Sequence, residues 1–267
     1  MERIRHDLKD EQGDDERWSE DELDRHLRHA LQDISKIRPR EMETLLGAVD
    51  GSYEIDISDL DDLVNVDQVA YPADQDPQEL RNYTIWGDIL RLGLASAPSV
   101  TETTLTGTVT FTKNSTAVTG AGTAFLTELA EGGYIKKSTD YQWYKVASIT
   151  DATHLTLSKA FVESTGADTL DSTPKRDSQG IVQVYWGQVH TLNLDTNTLP
   201  SYLTDLLVDG AVAYACTAWA NYAVNRVNTG GANVDMEYLR LAQIKMAKFY
   251  SDLRGLRKIK VYKDYPK

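Results

Sequence analysis

The sequence predicts an α+β fold: a helical core of three main helices with a small antiparallel sheet, plus an inserted all-β sandwich or barrel module. Three observations carry this expectation. Apolar residues recur at helical spacing near both ends of the chain. Period-two alternation occurs in Tyr53–Ile57, Leu63–Tyr71 and Tyr83–Leu94, and again after Gly180. Between these, from Thr101 to Leu170, the composition shifts to Thr, Ser, Gly and Val. The chain of 267 residues, 41% hydrophobic and 26% charged, is long enough for one large domain or two ordinary ones. The expected division is a discontinuous core of 1–99 and 171–255, an inserted module of 100–170 and an extended tail of 256–267.

The first helix follows Trp18-Ser19-Glu20-Asp21-Glu22, where Ser19 is an N-cap and Glu22, three residues on, completes a capping box. Leu23, Leu27, Ala30, Leu31 and Ile34 then share one face until Pro39 ends the helix. The alternating runs from Tyr53 to Leu94 predict three strands of one small sheet, with Pro72 and Pro77 bounding a turn. Short runs such as GTVTFT, TAVTG and HLTLSK, separated by turns at Lys113-Asn114-Ser115 and Thr150–Thr153, predict five or six strands in the module. Asp168 to Gln179 reads as a return linker. In GIVQVYWGQVHTL, Val182, Val184 and Trp186 point one way and Ile181, Gln183 and Tyr185 the other, so the stretch reads as a strand rejoining the first sheet.

From Leu203 to Val227 the sequence is helical and apolar on nearly every side, which demands neighbours all round, from the same fold or from adjacent subunits. Asn228-Thr229-Gly230-Gly231 ends it. A last helix, capped by Asn233 or Asp235, lines up Leu239, Ala242, Met246, Phe249 and Leu253 and stops at Gly255.

The net charge of −13 argues against a surface that grips nucleic acid, which needs local excess of Lys and Arg. Charge is also unevenly placed: Glu41 to Leu80 holds twelve carboxylates and no Lys or Arg, whereas Arg240 to Lys267 holds nine basic residues against Asp252 and Asp264. No run approaches the length of an apolar membrane span, and the charged start MERIRHDLKDEQGDDERW is unlike a signal peptide, so neither a membrane protein nor secretion by that route is expected. The single cysteine, Cys216, reads as a packing residue.

Signals for chemistry are weak. His26 and His29 have an i, i+3 spacing without a third ligand, and read as solvated residues on the charged face. The run Asp56 to Asp62 lacks the glycine and the terminal glutamate of a calcium loop and reads as an acidic strand edge. Gly120-Ala121-Gly122 lacks the third glycine and the strand-to-helix setting of a nucleotide site, which leaves a tight turn or bulge. His190, with no nearby carboxylate before Asp195, reads as a packed strand histidine. No catalytic residue, metal site or cofactor is predicted, and no enzyme activity.

Taken in order, W-S-E-D-E-L running into L-x-x-A-L-x-D-I-S, then Tyr53 to Ser58, Val69-Ala70-Tyr71-Pro72, Val182 to Trp186 with His190, and the alanine-rich helix Leu207 to Ala220 resemble the head-to-tail adaptor (connector) proteins of tailed bacteriophages. The resemblance covers 15–98 and 178–255, and the segment Thr104 to Leu170 resembles small β domains of phage structural proteins. The resemblance implies a dodecameric homo-oligomeric ring beneath the portal protein, extending the channel for double-stranded DNA and offering a surface to tail or nozzle proteins. It implies a virion location at the head-tail interface, after assembly in the host cytoplasm. The inter-subunit helix would use Leu207, Ala211, Tyr214, Ala218, Trp219 and Tyr222. An acidic channel surface would use Asp56, Asp59, Asp61, Asp62 and Asp67. The tail, with Lys258, Ile259, Lys260, Val261, Tyr262, Lys263 and Tyr265, would dock on the portal. Two other readings remain open at this point: a tail-associated carbohydrate- or receptor-binding protein using the 101–170 module, and an enzyme whose site assembles only in three dimensions.

Overall fold

The computed structural model describes residues 1–10, 13, 16–162, 166–168, 173–193, 197–223 and 234–256. In chain order the elements begin with α1 (Glu2–Leu8), α2 (Glu20–Ile37), β1 (Arg40–Gly47), β2 (Glu54–Asp56), β3 (Leu63–Ala70), β4 (Tyr83–Trp86) and β5 (Ile89–Leu92). They continue with β6 (Thr103–Thr104), β7 (Thr108–Phe111), β8 (Ala117–Ala121), α3 (Phe125–Glu128), β9 (Tyr134–Ile135), β10 (Tyr144–Ile149) and β11 (His154–Leu157). The last are β12 (Gly166–Asp168), β13 (Pro174–Arg176), β14 (Ile181–Gln188), α4 (Thr204–Ala223) and α5 (Val234–Gly255). They fall into two compact units, Met1–Arg40 with Gln188–Lys267, and Glu41–Gly187.

In the first unit α4 packs against α1, α2 and α5. The capping box holds: Ser19 Oγ accepts from the Glu22 amide at 3.3 Å, and the Glu22 carboxylate accepts from the Ser19 amide at 3.1 Å. The stripe Leu23, Leu27, Ala30, Leu31 and Ile34 is buried with Leu207, Ala211, Val212 and Ala215 of α4 and with Phe249 and Leu253 of α5. Where the three helices meet, Gly210 has no room for a side chain, since a Cβ there would lie 2.6 Å from the Phe249 ring and 2.8 Å from Ala30. The carboxylate of Asp33 on α2 accepts from Tyr214 of α4, and from Tyr250 of α5 at 3.2 Å, so one acid ties all three helices. Tyr214 and the Lys36 ammonium hold that carboxyl low against the upward push of its burial.

The second unit corrects the expected fold class. Among the described residues the fold is mixed, with five helices and three antiparallel sheets, and a three-helix core with one small sheet does not describe it. The strands expected to share one sheet are split. In one sheet β14 lies between β1 and β3; in another β5 lies between β2 and β4. Tyr83–Leu94 is itself a hairpin, turning at Gly87-Asp88. The strands of the expected β module lie in one eight-stranded order, β12-β7-β8-β11-β10-β9-β13-β6. It recruits β13 from the stretch read as a linker. Alternation marks a strand and its buried face, but partner choice is set by long-range packing, which a local pattern does not encode.

Within the stretch GIVQVYWGQVHTL, β14 is a central strand. Val182, Val184 and Trp186 of β14 are buried with Leu46, Val66 and Val69, while Ile181 is buried on its other side with Tyr134 and Trp143. The Trp186 indole donates to Thr44 Oγ1 at 2.9 Å, which satisfies its one polar atom. Arg176 at the end of β13 locks the neighbouring sheets together. Its guanidinium donates to the Ala48 carbonyl at 2.6 Å, pairs with Glu102 at 2.6 Å and lies 4.8 Å from the Trp143 ring.

Candidate functional site

The residues singled out in the sequence lie at three separate places. The first is the acidic stretch. Asp56 closes β2, and the chain then turns through Asp59, Asp61 and Asp62; all four are exposed. The turn is shaped by the Leu60 amide donating to the Ile57 carbonyl at 3.0 Å and by the Ser58 amide donating to Asp56 Oδ1 at 2.9 Å. Hydrogen bonds from Ser58 hold the Asp56 carboxyl below its ordinary range. Asp67 is not with them: it sits half-buried on β3 and accepts from the Asn65 amide group. The twelve carboxylates of this stretch do not form one continuous bare surface, because Glu43 pairs with Lys159, Glu54 with Arg91, Asp74 with Lys145 and Glu79 with Arg81. The carboxylates that cluster within one turn are Asp56, Asp59, Asp61 and Asp62.

The second place is α4. Leu207 and Ala211 are buried, and their cover comes from helices of the same chain. Tyr214 is engaged by Asp33 and by His29, whose ring stacks on it at 4.1 Å. Ala218 and Trp219 are half-buried, Trp219 lying 5.6 Å from Trp18, and only Tyr222 of the six is exposed. The all-round apolarity of α4 is therefore accounted for within one chain and no longer argues by itself for a second copy. Exposed apolar side chains lie instead on α5, where Met236, Leu239, Leu241 and Ile244 face solvent. Of the stripe read from the sequence, Ala242, Phe249 and Leu253 are buried and Met246 is half-buried, but Leu239 is exposed, and that reading did not weigh Leu241 and Ile244.

The third is the C-terminal tail. Lys258, Ile259, Lys260, Val261, Tyr262, Lys263 and Tyr265 lie outside the described residues.

Groups able to do chemistry are held in structural tasks. The His190 amide donates to Ser35 Oγ at 3.1 Å; its ring lies 3.0 Å from the Arg38 carbonyl through Nε2 and 3.3 Å from Thr198 Oγ1 through Nδ1. Burial pushes its pKa down, against those hydrogen bonds. It is a pin between the end of α2 and the segment entering α4. His26 corrects the sequence reading: it is buried, because it flanks Leu23, Leu27 and Ala30, and burial with Arg25 nearby lowers its pKa. His29 does remain exposed. Cys216 is buried in α4 and its thiol is pushed up by burial, so it is unreactive in the folded chain. In the G-x-G stretch Gly120 and Ala121 are the last residues of β8, and Gly122, at φ +69°, bends the chain just past its end. On the turn after β10, Asp151 is held down to about 2 by the Thr153 amide and by His154, an arrangement that closes the turn. Among the described residues no group of three or more His, Cys, Asp or Glu is placed to hold a metal ion, and no helix is long and apolar enough to cross a membrane.

No protein-family model matches the chain, and no curated protein matches it. The likeness to phage adaptors stands on the order and spacing of the residues alone.

Proposed function

We propose that the chain is a head-to-tail adaptor of tailed bacteriophages. In this reading it forms a dodecameric ring beneath the portal at the capsid vertex, extends the DNA channel and offers its far face to tail proteins. It is a virion component assembled in the host cytoplasm, and it catalyses nothing. The observation that carries the reading is the outward side of α5, which leaves Met236, Leu241 and Ile244 exposed on a helix already packed against its own chain on the other side. Closed rings arise when such a surface meets a different patch of an identical neighbour through a rotation that closes. The acidic turn Asp56–Asp62 supports it in a second way. Turned toward a channel, it repels phosphate and lets DNA slide without sticking. The basic and apolar residues Lys258 to Tyr265 would secure the ring to the portal.

The test is a mass measurement on the purified protein, alone and with portal protein, together with electron microscopy. Particles with a central hole, and their capture by portal, are the expected result. A chain that stays monomeric at high concentration, or that is absent from purified virions, overturns the proposal.

A further inference from the structure

The exposed face of the β2–β5–β4 sheet carries an apolar strip with an acidic border. In its antiparallel register Trp86 pairs with Ile89 and Ile89 with Asp56; two residues along, Thr84 pairs with Arg91 and Arg91 with Glu54. These six residues share one face, because side chains alternate along a strand. Their neighbours on the other face, Ile55, Leu90 and Leu92, are buried, whereas Trp86 is 89% exposed and Ile89 38%. Trp86 precedes a two-residue loop in which Gly87 takes φ +59°, a conformation that closes a tight hairpin and holds the indole at its tip. The acidic border is made by exposed carboxylates at this end of the sheet: Asp56 on the same face, Asp88 in the hairpin loop, and Asp59, Asp61 and Asp62 in the turn after β2, which the Ile57 amide ties to the hairpin by donating to the Asp88 carbonyl at 2.9 Å. The one cation on this face, Arg91, is turned to Glu54 at 3.6 Å and to the Tyr53 ring at 5.6 Å.

An indole left this open, beside an aliphatic side chain and with exposed carboxylates in its own hairpin and the adjoining turn, has the make-up of a binding anchor: an aromatic centre with charged neighbours. Its complement must be apolar and cationic at short spacing. The chain carries such a segment. Residues 257–267, RKIKVYKDYPK, hold Arg257, Lys258, Lys260, Lys263 and Lys267 against Asp264, interleaved with Ile259, Val261, Tyr262 and Tyr265. In the run Lys258-Ile259-Lys260-Val261 the alternation has period two, so an extended backbone would set both aliphatic side chains on one side and both lysines on the other.

We propose that the C-terminal segment 257–267 of a second copy docks on this face. Ile259 and Val261 cover Trp86 and Ile89, and Arg257 and Lys263, which the same alternation places on their side, reach the carboxylates of the border. The proposal rests on the ring reading in one respect, that copies are held together; α5, the helix leading to this segment, bears the exposed apolar side that self-association would cover. Docking of this kind describes the ring before it meets a portal, and portal attachment through the same residues would compete with it.

The experiment has two arms. A labelled peptide of residues 256–267 is titrated into the full chain, into Trp86→Ala and into the charge reversal Asp59→Lys, Asp61→Lys, Asp62→Lys. Saturable binding that weakens about tenfold in each variant, and further with added salt, is expected. Equal binding to all three proteins overturns the proposal. In the second arm a photo-reactive benzoylphenylalanine replaces Trp86, a position whose exposure spares the fold, in a mixture of ordinary and nitrogen-15-labelled chains. Crosslinks from position 86 into 257–267 that join one labelled and one unlabelled chain are expected. Crosslinks within single chains only, or into any other segment, overturn the assignment to a second copy. If the protein proves monomeric yet the peptide still binds at Trp86, the ring reading fails while the docking site stands. If rings form without these crosslinks, the docking fails alone.

Discussion

Burial, which outweighs Glu22 beside His26 and the hydrogen bonds of His190, decides what these two histidines do as the pH falls. Both have pKa values lowered in the folded chain, so between those values and about 6.5 the unfolded chain binds more protons. Their contribution to stability is complete above that upper bound and is lost as the pH falls below it. The urea midpoint is expected to drop between about pH 7.5 and about pH 5.5, and a His26→Gln, His190→Gln double variant to flatten most of that drop. At the N-terminus Arg5 and Asp10 form a buried pair at 3.0 Å, with Glu16 3.1 Å from the same guanidinium and the Arg17 amide donating to Asp10 at 2.7 Å. Asp10→Ala removes the buried partner of Arg5 and the acceptor of the Arg17 amide while Glu16 stays beside the guanidinium, and a loss of about 2 kcal/mol in chemical unfolding is expected. Neither pairing was legible in the sequence. A charged N-terminal stretch looks solvated until α1, with Ile4 buried and Leu8 packed one turn on, folds it back onto α4.

At the scale of elements, α2 was legible in its start and its apolar stripe, though not in the burial of His26, because both signals are local: a capping box and an i, i+3, i+4 pattern need no partner to be recognised. The helix α4 was legible as a helix but not as to what covers it, since apolarity on all sides records that neighbours exist and not which chain supplies them. The strands were legible one by one through alternation, but β2, β3 and β4 carry no local mark that sends β3 to β14 and the other two to β5. Of the proposed surfaces, the acidic turn was visible as a charge run; the Trp86 tip was not, because an isolated aromatic in a strand reads as core. Gly210 gives the sharpest element-level prediction. Gly210→Ala gains helix propensity, but its methyl would collide with Phe249 and Ala30, so α4 must move away from α5 and α2. A net loss of about 1–3 kcal/mol is expected from thermal unfolding, against the stabilisation that the same change gives in an open helix.

For the whole molecule, assembly is the property on which the functional reading depends, and α5 is where it can be broken without unfolding the chain. Ile244 is exposed, so Ile244→Glu leaves the inward contacts of Phe249 and Leu253 in place. The expected outcome is a protein of unchanged helical circular dichroism whose mass falls from that of an assembly to that of one chain. An unchanged assembly mass would move the contact between copies to another surface. The lone buried thiol has a consequence for such experiments. Because Cys216 lies shut among the helices, a disulfide reagent reaches it only in the moments when they part. The speed of its modification is thus an internal clock for breathing of the helical unit, and it needs no added label to read how firmly assembly holds that unit closed.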